Sequence, residues 1–323
     1  MKPLPDRVEA SSRHTPAWPR RSASRRSSAG ARVARRALAI GLAGLVVALP
    51  GCWSPEAVIE AAGQLRQRGQ PRAALEKLQK LLASLGEGPL PAPQAAVRLR
   101  ALRAAADLAY LELGDYAGAI AYYRRLISLQ PGSPEAFEAR AIIGDIFRDR
   151  FQDRQAAIAQ YADIAAGDAP QAPLFQLRVA REYLELGNAV QARAEARVLR
   201  ERWPASVEAD EAQLLTAQAW ALERREEEGL RAFQALIDRR PAPELVARAQ
   251  EGKAGLYAQM GKFDRALELY TLALPLHPNP QAILTNIEAV RRRKEAAKTV
   301  TPGNRNQAFD YGLTRPPDRE IIP

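Results

Sequence analysis

Two histidines, His14 and His277, and one cysteine, Cys52, are the only imidazoles and thiol in this 323-residue chain. A structural zinc site needs about four Cys or His ligands, and a disulfide needs two cysteines. The chain supplies neither. A nucleophile–histidine pair in the body would have to use His277, which sits in Leu276-His277-Pro278-Asn279-Pro280, a helix-ending loop where an exposed turn residue is expected. Glu and Arg recur on helix faces and read as solvated pairs rather than an acid/base cluster. No catalytic residue, cofactor, metal site or small-molecule substrate is expected, so the chain reads as a non-enzyme. The competing class is a cell-wall-associated enzyme regulatory subunit.

The thiol has a distinctive context. Residues Ala37–Pro55 hold no charge, and Arg35 and Arg36 precede them. The apolar stretch Ala37–Leu49 is 13 residues long, within the roughly 7–15 of a secretory signal core and short of the about 20 of a spanning helix. It ends in Leu49-Pro50-Gly51-Cys52. This resembles the lipobox of bacterial lipoproteins, which implies a diacylglyceryl group on Cys52 and cleavage after Gly51. Pro50 departs from the small or aliphatic residue usual there. Trp53 is not the Asp that retains such proteins at the inner membrane, so the resemblance implies the periplasmic face of the outer membrane. An uncleaved inner-membrane anchor, leaving a non-lipidated adaptor, is the alternative. Residues 1–32 are long for a leader, and a start at Val33 would leave a compact one.

The formal net charge of +10 is concentrated in residues 1–51, where ten Lys or Arg face two acids; the body keeps 37 basic and 35 acidic residues. Without a basic body the phosphate-neutralising contribution to nucleic-acid binding is missing. Nucleic acid is therefore not an expected partner.

What must be positioned is a repeated scaffold. The series Leu65, Tyr110, Phe147, Tyr183, Trp220, Tyr257 steps by 45, 37, 36, 37 and 37, the first step lengthened by Gly86–Pro93. Each unit reads as two amphipathic helices. A small residue recurs early in the first helix (Ala62, Gly144, Ala180, Ala217, Ala254; Asp107 is the exception). Another opens the second helix (Ala74, Ala119, Ala157, Ala192, Gly229, Ala266), followed by a bulky one (Leu78, Tyr123, Tyr161, Phe233, Tyr270; Ala196 departs). Gly69, Gly114, Gly187 and Gly261 mark the turns, with Arg224 in the fifth, and a proline closes units two to six. Small residues suit close helix crossings and large ones fill the space between pairs.

This combination resembles the tetratricopeptide repeat. The resemblance implies an all-α, right-handed superhelical solenoid of about six helix pairs at about 55–88, 100–133, 137–171, 173–206, 210–243 and 247–280. Within the chain, 1–51 is then leader, 52–280 solenoid, 281–298 a capping helix with Ile283, Ile287 and Val290 on one side, and 299–323 a disordered tail with Phe309 and Tyr311. Domains of this family bind proteins in a concave groove lined by the first helix of each pair. The Lys–Asn pair of a carboxylate clamp is missing at the matching positions, which hold Ala104/Leu108, Ala141/Asp145, Leu177/Arg181, Leu214/Gln218 and Glu251/Gly255. The expected groove is Leu108, Leu111, Asp145, Arg148, Leu177, Arg181, Leu184, Leu214 and Gln218; the leucines either face a partner or pack between repeats. A lipid-anchored envelope scaffold, with other envelope proteins as partners in envelope, secretion or pilus assembly, is the implied function. Similar lipoproteins include the repeat subunit of the β-barrel assembly machinery and type IV pilus pilotins.

Overall fold

The computed structural model describes residues 54–299. The expected leader, the Cys52 lipid site and the tail beyond Thr299 lie outside these residues. Thirteen α-helices and no strand occur among the described residues. Six successive pairs are α1 (Pro55–Gln67) with α2 (Pro71–Leu85), α3 (Ala92–Asp107) with α4 (Tyr116–Leu129), α5 (Pro134–Asp149) with α6 (Arg154–Ala166), α7 (Ala172–Glu185) with α8 (Ala189–Arg202), α9 (Glu208–Leu222) with α10 (Glu226–Asp238), and α11 (Pro243–Gln259) with α12 (Phe263–Ala273). A 3-10 turn (Leu274–Leu276) leads to α13 (Pro280–Thr299). Each helix packs on the next, which makes the described body an α-solenoid. No described helix is long and apolar enough to cross a membrane.

The repeat signature maps onto this packing. Ala74, Ala119, Ala157, Ala192 and Ala266 are buried at the starts of the second helices, and Leu78, Tyr123, Tyr161, Phe233 and Tyr270 are buried beyond them. A Cβ on Gly144 would overlap the Tyr161 ring, and one on Gly252 the Phe233 ring. Glycine is required there by close approach rather than by backbone angle. Ile283, Ile287 and Val290 of α13 are buried against Ala254, Ala266 and Leu269, so the thirteenth helix covers the apolar face of the sixth pair.

All six turns within pairs close on a left-handed residue: Gly69, Gly114, Gln152, Gly187, Arg224 and Gly261. In four of them the landmark carbonyl accepts the amide five residues on, as Gln70 N–H to Leu65, Asn188 to Tyr183, Arg225 to Trp220 and Lys262 to Tyr257, each near 3 Å. This is the hydrogen bond that seals a helix C-terminus. Gln152 and Arg224, at φ of 55° and 56°, adopt the same conformation without glycine's freedom.

The second pair departs from the expected register. Leu108–Leu113 is a π-helical turn, and the Asp115 amide donates to Ala109, not Tyr110, at 2.8 Å. An extra residue is absorbed as a π-bulge. The stretch Tyr-Leu-Glu-Leu-Gly is therefore π-helical at Tyr110–Leu113 and α-helical at Tyr183–Glu185. The bulge also explains Asp107. The small residue of that helix is the buried Ala106, and Asp107 is the counterpart of Asp145: each accepts a 2.6 Å hydrogen bond from a tyrosine sixteen residues on, Tyr123 or Tyr161.

His277 corrects the expectation of an exposed turn residue. Its side chain is only 7% exposed, and Nε2 lies 3.0 Å from Glu251 of α11. The imidazole holds the connection before α13 against α11.

Candidate functional site

The first helices do not form an even layer. α1 packs on α3, α7 on α9 and α9 on α11, whereas α5 makes no comparable contact with α3 or α7. Two concavities fill the resulting gaps. The larger, about 670 Å³, is lined by Phe137, Glu138 and Ala141 of α5, by Ile164, Asp168 and Ala169 at the end of α6, and by Phe175 of α7. The smaller, about 430 Å³, lies between Leu99, Arg103 and Ala104 of α3 and Glu135 at the start of α5. Both volumes fall in the range of ligand-binding clefts.

Charge bridges both gaps. Arg103 reaches Glu138 at 2.9 Å across one, and Arg178 reaches Asp145 at 3.2 Å across the other. Asp145 also takes the Tyr161 hydroxyl at 2.6 Å and Arg148 at 3.2 Å. The Arg178 guanidinium lies over the Phe175 ring at 4.8 Å and the Tyr161 ring at 5.5 Å. A cation on an aromatic face is attracted by the ring quadrupole. Burial, then the hydrogen bond to Asp145, raises the Tyr161 hydroxyl well above the usual phenol range, and Tyr123 is raised in the same way beside Asp107. Both stay protonated and donate to their carboxylates.

The nine expected groove residues divide. Leu108, Leu177 and Leu214 are buried in inter-helix clusters and line none of the described concavities. Leu111 is 64% exposed on the π-helical turn. Arg181 is exposed and pairs with Glu211 at 2.8 Å. Leu184 and Gln218 come together, with Leu222, in a third concavity of about 560 Å³. Asp145 and Arg148 meet in the network beside α5. The sequence reading missed Phe137, Ile164, Phe175 and Arg178; nothing in the repeat pattern distinguishes them, because the opening of the layer is a property of the packing. Among the described residues no group of three or more His, Cys, Asp or Glu is placed to hold a metal ion.

Two tetratricopeptide-repeat family profiles match, at residues 99–143 and 227–280. These segments fall on α3–α5 and on α10 through the start of α13. No curated protein matches the chain. Among solved structures, the C-terminal part of a repeat-containing protein from Cytophaga hutchinsonii is similar at 14% identity and TM-score 0.52, covering 72% of this chain and 87% of that one. A tetratricopeptide repeat protein from Parabacteroides merdae has 18% identity and TM-score 0.49, covering 81% and 94%. PilW, described as a type IV pilus biogenesis factor, has 16% identity and TM-score 0.41, covering 71% and 98%. The described body of this chain is an all-α solenoid, with tetratricopeptide repeats matched at residues 99–143 and 227–280.

Proposed function

We propose that the chain is a lipid-anchored scaffold of the bacterial envelope, held at the periplasmic face of the outer membrane through Cys52, that captures a segment of another envelope protein beside α5. One observation carries the capture: the 670 Å³ concavity pairs an apolar wall of Phe137, Ala141, Ile164 and Phe175 with the acids Glu138 and Asp168. That combination suits an amphipathic helix or extended segment that presents one apolar anchor beside a basic residue. Family resemblance supports a protein-binding role. The lipobox supports the anchor, since two or more acyl chains hold a protein stably at a membrane where one does not.

Two measurements test the proposal. Phe137 is half-buried and open to the concavity, so Phe137→Glu is expected to abolish recovery of the partner from native envelopes while helical circular dichroism is unchanged. Undiminished recovery by the folded variant contradicts the site. Radioactive fatty acid is expected to label the chain but not Cys52→Ala; equal labelling of both contradicts the anchor.

A further inference from the structure

Five of the six turns within helix pairs carry an exposed large apolar side chain: Leu111, Phe151, Leu186, Leu222 and Met260. Each stands within three residues of the left-handed residue that ends its helix, so together they mark one edge of the solenoid. Leu222, 51% exposed, opens into the concavity of about 560 Å³ at the ends of α7, α9 and α11, whose apolar part is Leu184, Ala221 and Leu222. Arg224 also lines it. Its guanidinium is exposed and has no hydrogen bond or ion pair among the described residues. Its backbone sits at φ 56°, where a non-glycine residue costs on the order of 1 kcal/mol.

The geometry of α13 directs the chain toward this edge. Asn286 reaches Glu251 of α11 at 3.4 Å, while further along the helix Arg293 covers the Phe263 ring at 5.5 Å and Lys294 pairs with Asp264 in the first turn of α12. The helix therefore runs toward the α11–α12 turn and ends at Thr299 on the edge that carries Met260. Residues 300–323 follow, and within Ala308–Leu313 the apolar residues Phe309, Tyr311 and Leu313 alternate with Asp310 and Gly312. In an extended chain, alternate residues share one side. The ten residues from Thr299 to Phe309 span up to about 33 Å. Packed helices lie about 10 Å apart, so this reach covers α11, α9 and α7.

We propose that Ala308–Leu313 docks on its own chain at this concavity, with Phe309 and Tyr311 against Leu184, Ala221 and Leu222 and with Asp310 paired to Arg224 at the rim. The contact is separate from the site beside α5 and does not rest on the capture of a partner there.

Disulfide trapping in the full chain tests it. In a Cys52→Ala background, Leu222→Cys with Phe309→Cys is compared with Leu272→Cys with Phe309→Cys. Leu272 is 53% exposed near the end of α12, at the opposite end of an 11-residue helix from that edge. A helix of that length, about 16 Å, is shorter than the reach of the tail. Oxidised at submicromolar concentration, the first pair is expected to close within one chain about tenfold faster than the second, because docking raises the local concentration. Asp310→Lys, which lies in the tail and leaves the helical body intact, is expected to remove that advantage, and adding Arg224→Glu to restore it. Equal rates for the two pairs, products joined only between chains, or indifference to the charge reversal would each overturn the assignment.

Discussion

Six turns ask for the same backbone conformation, and two of them obtain it from the wrong residue type. Gln152 and Arg224 hold positive φ where four glycines serve the equivalent turns. Gln152→Gly is expected to raise the urea midpoint, with a gain of about 1 kcal/mol. Gly187→Ala, at φ 76°, is expected to lower it by a similar amount. The tyrosine–aspartate pairs couple stability to pH. Folded Tyr123 and Tyr161 have raised pKa values because burial and an adjacent carboxylate both oppose the phenolate. A raised pKa contributes stability that is complete below the unfolded value, about 10, and is lost as pH rises beyond it. The urea midpoint should fall from about pH 10 upward, and Tyr161→Phe should flatten part of that fall. A midpoint independent of pH over that range would contradict the assignment.

At the scale of elements, the second helices of three pairs start on a side chain that caps them. Asp115, Asp153 and Asn188 accept the amides of Gly118, Ala156 and Gln191 at 2.9–3.1 Å. Asp153→Ala is expected to cost about 1 kcal/mol, read as a lower thermal midpoint. The long connection after α2 is held differently. Arg98 of α3 is buried and donates to the carbonyls of Gly86 at 3.1 Å and Gly88 at 2.7 Å. Arg98→Ala removes the charged donor that ties down two carbonyls of this connection, so limited proteolysis should cut at Gly86–Gly88 before any other described connection. The extra length of Gly86–Pro93 was legible in the sequence, but its anchor was not, since an arginine on a helix reads as solvated until its neighbours are known.

At the scale of the whole described body, periodicity revealed the helix pairs because small and large residues recur where helices cross. It misplaced the register of one pair. Tyr110 looked like a landmark because Tyr-Leu-Glu-Leu-Gly occurs twice, yet Ala109 closes that helix and the extra residue sits in a π-turn. Identical sequence gave two local structures because tertiary packing, not propensity, fixed the closure. The candidate site was legible only in part. Asp145 and Arg148 were in view, whereas Phe137 and Phe175 become partners only when α5 stands off from α3 and α7, and no repeat position encodes that spacing. Removing α13 would uncover the sockets of Ile283, Ile287 and Val290 on the sixth pair. A chain ended at Asn279 is therefore expected to lose solubility and unfold at a lower temperature.

The proposed function requires that another protein docks beside α5. A photo-crosslinking residue placed at Phe137 of the full chain in native envelopes tests it directly, with a second at the exposed Leu129 as comparison. One discrete crosslinked protein is expected from position 137 and none from 129. The same products from both positions, or none from 137 in a folded chain, would contradict it.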